Sequence, residues 1–314
     1  MYRALAAVLL LAVLPLRGGA QSVPAVRVLE LSGDGASEGA YALAGGFFKK
    51  YGLDATVGKT TGGGAVVAAV VGGSAEIGFS NLISVAAAIE RGIPVTIIAP
   101  STIFNGKAPD ILLMRSRRTT YKSGADLTGK IVAVTTLDGE LQLGAATWID
   151  KTGGNSKLVH FVEVPESAMA AALVQGRVDG AMMTEPHITQ DRADVELLGN
   201  VDAAIAPLFV SGVYFAANAW IEAHPDVARR VAGALRETGH WANGHHAETA
   251  LVLAKNANLD AATIDLMTRS TFTESLTVPA IAPALDVAYT YGRLKEPFDV
   301  RGLVAKALIY WGKP

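Results

Sequence analysis

The stretch Gly35-Ala36-Ser37-Glu38-Gly39 matches the G-x-S-x-G pattern that surrounds the nucleophile of many serine hydrolases. Such a serine needs a preceding sheet, a downstream acid, a histidine and an oxyanion hole. Here only one predicted strand, residues 26–31, precedes Ser37, and the lysine and glycine spacing of a phosphate-binding loop are missing. An exported serine hydrolase that uses this loop is therefore the alternative hypothesis. The favoured interpretation is a loop that offers backbone N–H groups and hydroxyls to a ligand.

Further polar residues stand where predicted strands lead into helices. Ser80 and Asn81 follow the strand at residues 77–79, and both residue types are also favoured helix caps. Ligand contact and helix capping therefore both remain open for these two residues. Thr135 and Thr136 leave the same alternatives, although two adjacent threonines at a strand end favour ligand contact slightly.

Glu185 and His187 stand on either side of a proline, at the predicted start of a helix. Proline and a carboxylate both suit the first turn of a helix, so Glu185 has a structural as well as a ligand-binding interpretation. His187 likewise either contacts the ligand or packs against the protein. The cluster His240, His245 and His246 lacks the i, i+4 pair of a helical zinc site, and the chain has no cysteine. We predict neither a metal site nor a cofactor.

Strand and helix signals alternate along the chain, which predicts an α/β fold with mainly parallel sheets. The chain also matches itself. The segment AVVAAVVGGSAE (65–76) is similar to AMAAALVQGRVD (168–179), and VRVLELSGDG (26–35) is similar to KIVAVTTLDG (130–139). The two matches follow one another in the same order at nearly the same offset, which predicts two similar α/β lobes.

In open α/β sheets, ligands bind at the carboxyl ends of the parallel strands. The loops at residues 32–39 and 135–140 occupy equivalent positions in the two predicted lobes. Ser80-Asn81 and Thr184-Glu185 are equivalent in the same sense. If the lobes face each other, these four loops line one cleft.

The N-terminus predicts export. Arg3 precedes an apolar run at residues 4–16, and small residues follow up to Ala20, so residues 1–20 are typical of a cleaved signal peptide. The run is shorter than the ~20 apolar residues that span a bilayer. A chain without cysteine carries no N-terminal lipid, so we expect a free periplasmic protein. The formal net charge of -2 and the lack of a basic cluster disfavour nucleic acid as a partner.

Four segments resemble the periplasmic solute-binding proteins of ABC importers, in the family of nitrate-, alkanesulfonate- and taurine-binding proteins and binders of thiamine-pyrimidine precursors. These segments are GGFFKKYGLDATV (45–57), GGGAVVAAVVGGSAEIGFSN (62–81), DLTGKIVAVTT (126–136) and ALVQGRVDGAMMTEPH (172–187). The resemblance implies two lobes of the type II-like periplasmic binding protein architecture, joined by crossovers near residues 105–111 and 208–213. It implies that lobe 1 comprises residues 21–110 plus 212–314 and that lobe 2 comprises residues 111–211.

The same resemblance implies a monomer that closes on one small ligand and delivers it to a permease in the inner membrane, without catalysing a reaction. Tyr214 lies on the second crossover, where it either stacks on the ligand or packs the hinge. Tyr41, with Phe79 and Phe104, is a candidate for the apolar faces that an organic ligand needs. The predicted ligand-binding residues are Gly33, Asp34, Gly35, Ser37, Tyr41, Ser80, Asn81, Thr135, Thr136, Glu185, His187 and Tyr214.

The charges of the predicted cleft loops bear on the solute. These loops contain the carboxylates of Asp34, Glu38, Asp138, Glu140 and Glu185. Sulfonate and nitrate favour arginine, lysine or clustered N–H donors, and only one lysine stands near these loops. We therefore expect a neutral or donor-bearing organic solute such as a heterocycle or an amine. An oxyanion remains an alternative ligand, because helix N-termini alone can bind anions.

Overall fold

The structure is a computed structural model. It describes residues 23–60, 62–137, 139–257 and 259–312. The predicted signal peptide at residues 1–20 and the residue Asp138 lie outside this described part. None of the helices in the described part combines the length and the hydropathy that a bilayer crossing requires.

Strands and helices alternate along the described chain, as the sequence pattern predicts. The strands are β1 (Ala25–Glu30), β2 (Asp54–Lys59), β3 (Ile77–Asn81), β4 (Val95–Pro100), β5 (Ile103–Phe104), β6 (Ile111–Ser116), β7 (Ile131–Val134), β8 (His160–Glu163), β9 (Gly180–Thr184), β10 (Val195–Gly199), β11 (Phe209–Val210) and β12 (Gly212–Ala217). The α-helices are α1 (Glu38–Ala44), α2 (Phe47–Lys50), α3 (Gly63–Val71), α4 (Leu82–Glu90), α5 (Glu140–Lys151), α6 (Glu166–Val174), α7 (His187–Gln190), α8 (Val201–Ile205), α9 (Asn218–Ala223), α10 (Pro225–Ala242), α11 (His246–Ala257), α12 (Ala261–Leu266), α13 (Val278–Thr290) and α14 (Val300–Trp311).

The strands form two five-stranded sheets with the same plan. The first sheet has the order β2-β1-β3-β12-β4, and the second has the order β8-β7-β9-β6-β10 when it is read from the equivalent edge. In the first sheet only β12 runs against its neighbours, and in the second sheet only β6 does so. Each reversed strand is the first strand of its sheet after the chain crosses from the other sheet. The prediction of two similar α/β lobes with mainly parallel sheets is confirmed.

The internal sequence match corresponds to equivalent elements. The helices α3 and α6 begin at residues 63 and 166, and the strands β3 and β9 that follow them begin at residues 77 and 180. Both pairs are therefore 103 residues apart, which is the offset of the matching segments. The match reflects repeated architecture and not only the alanine-rich composition of two helices.

Two connections join the sheets. One runs from β4 to β6 and contains β5, and the other runs from β10 to β12 and contains β11. β5 and β11 pair with each other as a short antiparallel ladder, with Phe104 opposite Phe209. We call the first sheet with its helices lobe 1 and the second sheet with its helices lobe 2. The boundaries at residues 110/111 and 211/212 stay predictions.

The C-terminal helices pack on lobe 1. One continuous cluster of buried side chains joins Ile77 and Phe215 of the first sheet to Leu285 of α13 and to Leu303 and Trp311 of α14. These helices supply apolar side chains spaced for one buried face, and burial of that face stabilises them. Lobe 1 is consequently the larger of the two packed units.

Lobe 2 has a separate core on each face of its sheet. Val132, Val134 and Met182 belong to one cluster, whereas Ala133 and Met183 belong to another. Successive side chains of a strand point to opposite faces, so a strand that is covered on both faces is apolar at every position. This arrangement explains the uninterrupted apolar runs in β7 and β9.

Candidate ligand-binding cleft

A cleft of about 1630 Å³ lies between the two lobes. On the lobe 1 side it is lined by residues 32–36 after β1 and residues 62–64 after β2. On the lobe 2 side it is lined by residues 135–137 after β7 and residues 163–167 at the end of β8. Both sides thus consist of loops at the carboxyl ends of parallel strands, where open α/β sheets bind ligands.

The equivalent loops of the two lobes share this crevice. Gly35 of the first loop and Gly139 of the second both line the cleft. A Cβ atom built on Gly33 would lie 3.8 Å from the Glu185 carbonyl oxygen, and one on Gly62 would lie 3.6 Å from Thr136 Oγ1. Gly33 has a φ of 107° and Gly62 a φ of 80°, a conformation that glycine adopts without steric cost. Glycine at these two positions lets lobe 1 approach lobe 2 closely.

The structure brings eight of the twelve predicted ligand-binding residues to the cleft wall. These eight are Gly33, Asp34, Gly35, Asn81, Thr135, Thr136, Glu185 and His187. The four others are fully buried behind the wall and do not line the cleft: Ser37, Tyr41, Ser80 and Tyr214. Phe79 and Phe104 line the cleft, so two of the four aromatic residues considered as apolar faces are in place.

Tyr41 contacts the cleft only through Asp34. Its hydroxyl donates a hydrogen bond to Asp34 Oδ1. Arg269 Nε and Nη2 donate to the two Asp34 carboxylate oxygens at 2.9 and 3.0 Å. The Arg269 and Asp34 side chains are 10% and 1% exposed, so this is a buried, bidentate ion pair. Asp34 therefore lines the cleft with its charge already matched by an arginine.

Tyr214 lies in the middle of the lobe 1 sheet, on β12. Its hydroxyl donates to Glu30 Oε1 and accepts the Gly39 N–H at 2.9 Å. Burial raises the pKa of Glu30 to about 7. Glu38 is also buried, accepts a hydrogen bond from Ser101, and has a pKa raised well above its usual range by burial. Tyr214 thus packs a buried polar cluster at the base of loop 32–39. It lies inside the lobe 1 sheet and not on the second crossover, so it neither stacks on a ligand in the cleft nor packs the hinge.

Ser37 is held in an arrangement unlike that of a hydrolase nucleophile. Its hydroxyl donates to the Gly33 carbonyl oxygen at 2.6 Å and accepts from Lys59 Nζ at 3.2 Å. In the described part of the chain, no histidine hydrogen-bonds Ser37, whose side chain is fully buried. The serine hydrolase alternative finds no support.

Asn81 performs the capping role that its residue type suggested, and it also lines the cleft. Its side-chain oxygen accepts the Ser84 N–H at 2.8 Å at the start of α4. Ser80 lies beneath the start of α3, and its Oγ has no hydrogen-bond partner among the described residues. A Cβ atom on Gly63 would lie 2.3 Å from that Oγ, so any larger residue at this position would force Ser80 to shift. The first residues of α3 then face the cleft without side chains.

A segment between α12 and α13 runs along the hinge side of the cleft. The Thr268 N–H donates to Glu185 Oε1 of lobe 2 at 3.3 Å, and the Ser270 N–H donates to Asp34 Oδ2 of lobe 1 at 2.8 Å. The Ser270 hydroxyl also donates to Asp110, and Phe272 forms an isolated bridge with the connection that contains β5. This segment contacts both lobes in addition to the two connections that the sequence predicted.

Carboxyl groups dominate the lobe 2 side of the cleft. Burial raises the pKa of Asp110 to about 6 and, together with the charge of Asp110, raises the pKa of Asp202 to about 8. Burial and the charge of Asp202 raise the pKa of Glu140 well above its usual range. The pKa values of Glu166 and Glu185 are also raised, mainly by burial. The cleft therefore holds several carboxyl groups that lack the solvation an ionised carboxylate needs.

A family comparison agrees with this geometry. The model of the family described as NMT1/THI5 like matches residues 39–249, which is more than half of the chain. The chain belongs to the NMT1/THI5-like family. No curated protein sequence matches the chain significantly.

Solved structures of similar fold support the same placement. The alkanesulfonate-binding protein SsuA from Xanthomonas axonopodis pv. citri, bound to MOPS, superimposes with a TM-score of 0.73 at 15% identity, over 89% of this chain and 97% of that one. The periplasmic nitrate-binding protein NrtA from Synechocystis PCC 6803 gives 0.74 at 16% identity, over 91% and 86%. A Candida albicans protein with the generic periplasmic binding protein fold gives 0.69 at 15% identity, over 91% and 94%. This member of the NMT1/THI5-like family has the periplasmic binding protein fold.

Several residues of the cleft were missing from the sequence-based prediction. Asp202 follows Asn200, whose side chain accepts the Ala203 N–H, so the sequence shows only an ordinary capped helix start. Arg269 reaches Asp34 across 235 residues of sequence, and Asp110 meets Ser270 across 160. No local pattern carries such pairings. The only available signal was the presence of isolated charged residues in turn-rich segments.

Proposed function

We propose that this NMT1/THI5-like protein is an extracytoplasmic binding protein that takes up one small organic solute between its lobes and releases it chemically unchanged. One observation carries the proposal: strand-end loops from both lobes line a single cleft. A ligand that contacts both sets of loops has more contacts in a closed form than in an open one, and this difference favours closure.

The size of the cleft supports closure. Its volume of about 1630 Å³ exceeds the roughly 300–1,000 Å³ of most small-molecule sites. A Cβ atom on Gly33 or Gly62 would lie 3.8 or 3.6 Å from lobe 2, so the walls already approach each other at these two points. A small solute bound elsewhere in the cleft contacts both walls only when they move closer there. Rotation about the two connections and the segment at residues 268–272 would bring them together, because few backbone links join the lobes.

The partner and location follow from the same proposal. The similar proteins are described by name as periplasmic, nitrate-binding or alkanesulfonate-binding. We infer a periplasmic monomer that presents its closed lobes to an ABC permease in the inner membrane. The side chains at the cleft wall bind and orient the solute, and the function requires no catalytic residue and no cofactor.

A thermal-shift screen with small-angle scattering tests the proposal. Purified protein would be screened against sulfonates, nitrate, carboxylates, pyrimidines, flavins and amines. We expect a saturable rise in melting temperature with one class, since a ligand at 100 times its Kd stabilises the native state by about 2.7 kcal/mol. The same ligand should reduce the radius of gyration, because the lobes close.

A matched pair of variants localises the binding. Thr135→Trp fills the cleft wall at an exposed position of lobe 2, whereas Thr120→Trp adds the same bulk at an exposed position outside the cleft. We expect Thr135→Trp to abolish the ligand-induced shift and Thr120→Trp to retain it. Equal retention by both variants, or turnover of the bound compound, would contradict the proposal.

A further inference from the structure

Three acidic side chains line the cleft where lobe 2 begins and along its wall. Asp110 precedes β6, Glu140 is the first residue of α5, and Asp202 belongs to α8. The helices that carry Glu140 and Asp202 are packed together, because a Cβ atom on Gly144 of α5 would lie 3.2 Å from Val201 Cγ2 of α8. All three side chains line the cleft, and each lies close enough to another to influence its ionisation.

Asp202 stands out because its side chain is buried beside the cleft and receives no hydrogen bond from the described residues. The residue is only 3% exposed. Buried polar groups in proteins are nearly always hydrogen-bonded, and a buried unpaired carboxylate is costly. Since Asp202 lines the cleft, the open direction for a partner is the cleft itself.

In lobe 1, by contrast, the cleft carboxylate of Asp34 has hydrogen-bond partners within the protein. Asp34 receives two hydrogen bonds from Arg269, one from Tyr41 and one from the Ser270 N–H. Among the described residues, no ion pair involves any member of the trio of Asp110, Glu140 and Asp202. Asp34 is thus paired with an arginine of the protein, whereas Asp110, Glu140 and Asp202 form no ion pair with the described residues.

We propose that the solute carries a positively charged nitrogen, as an ammonium group or a protonated heterocycle, which Asp202 binds together with Asp110 and Glu140. The inference rests on the proposed binding function and specifies its ligand class. In the described part of the chain, no three His, Cys, Asp or Glu side chains are placed to hold a metal ion. The cation takes in lobe 2 the role that Arg269 takes in lobe 1.

Binding of matched cationic and neutral compounds tests the inference. Choline would be compared with 3,3-dimethylbutan-1-ol and benzylamine with benzyl alcohol, since each pair has similar shape and differs in charge. Isethionate and nitrate would represent anions, and Mg²⁺ would represent metal ions. We expect saturable thermal shifts with at least one cation and weaker or no shifts with its neutral counterpart.

A charge-removing variant ties the effect to the trio. Asp202→Asn keeps the shape of the side chain, and charge-assisted hydrogen bonds of this type correspond to a loss of about 10- to 100-fold in cation affinity. Asp226→Asn removes an exposed carboxylate outside the cleft and should leave the affinity unchanged. The melting temperature of each variant without ligand shows that it is folded.

The possible outcomes distinguish failure of this inference from failure of the proposed function. Binding of neutral or anionic compounds without binding of any cation overturns the inference and leaves the proposed function standing. A Kd for the cation that Asp202→Asn changes by less than about twofold also overturns it, as does binding of Mg²⁺ alone. If no compound of any class binds, both the inference and the proposed function fail.

Discussion

The two walls of the cleft share one backbone plan but differ in chemistry. At equivalent positions, α3 begins with Gly63 and α6 begins with Glu166. Gly63 adds no side chain to the cleft wall, whereas the Glu166 carboxylate accepts the Thr184 N–H at the end of β9. A duplicated architecture therefore fixes where the loops meet, and single residues at the strand ends decide what each wall can bind.

The walls also differ in how they treat negative charge. Lobe 1 contributes Asp34 to the cleft and pairs it with Arg269. Lobe 2 contributes Asp202 and Glu140, which the described residues leave without an ion pair. Equivalent positions in the two halves therefore need not carry equivalent roles. Variants on each wall test this contrast.

The largest effect is expected from the ion pair of lobe 1. Arg269→Met leaves Asp34 buried and unpaired, which should lower the free energy of unfolding by about 3–5 kcal/mol in urea denaturation. The double variant Arg269→Met with Asp34→Asn should recover part of the lost free energy of unfolding, because the asparagine carries no buried charge. Arg27→Met is the control, since its ion pair with Glu76 leaves Arg27 54% exposed and should contribute much less. Equal losses for the two single variants would contradict the distinction.

The carboxyl of lobe 2 should instead make stability depend on pH. The pKa of Asp202 is raised to about 8, whereas an unfolded aspartate has a pKa of about 3.9. Between these values the native state keeps a proton that the unfolded state has lost, so stability falls as pH rises, by up to about 1.4 kcal/mol per pH unit. Asp202→Asn should remove this contribution and be more stable than the wild type at pH 8.

Denaturation at pH 5, 6.5 and 8 measures the difference. Asp226→Asn serves as the control, because its carboxylate is 87% exposed and should not change the slope. The pKa of the neighbouring Asp110 is raised to about 6 and that of Glu140 is also raised, so the comparison is between variant and wild type at each pH. A slope that Asp202→Asn leaves unchanged would show that the carboxyl is solvated in the native state.

The start of α3 on the lobe 1 side of the cleft should tolerate little added side-chain volume at Gly63. Gly63→Ala places a Cβ atom 2.3 Å from Ser80 Oγ and should cost about 1–3 kcal/mol through overpacking. Gly64→Ala meets nothing within 4 Å and should be neutral or stabilising by up to ~1 kcal/mol, because alanine favours a helix over glycine. Thermal and urea unfolding measure both. Adding Ser80→Ala to Gly63→Ala should restore part of the loss, and failure to do so would place the strain elsewhere.

The smallest effect concerns the helix caps of the two lobes. Asn81→Ala removes the cap of α4 and Asn200→Ala that of α8, each with an expected loss of about 1 kcal/mol. Asn81→Asp should retain stability, since aspartate caps as well as asparagine does. An Asn81→Asp variant as unstable as Asn81→Ala would mean that Asn81 stabilises the fold by something other than capping.

Much of the fold could be predicted from sequence because its signals are local or periodic. The apolar alternation and the turn residues predicted α/β lobes, and the match of residues 65–76 with 168–179 predicted their similarity. Loop positions at strand ends followed from the same reasoning, and eight predicted residues line the cleft. Ser37 and Tyr214 are near cleft residues in the sequence, but their side chains point into the interior of lobe 1. The direction of a side chain depends on packing, which the sequence pattern does not show.

Two similar halves, and the loops where they meet, can be inferred from the order of residues, because hydrophobic periodicity and repeated segments are local features of the chain. Which carboxyl groups have a cationic partner depends on how distant segments pack. Arg269 reaches Asp34 because the C-terminal segment folds back along the hinge. Asp202 lies on α8, which packs on α5, and none of the described residues forms an ion pair with it. Ionisation depends on what surrounds a group in space, and that surrounding comes from residues that are distant in sequence.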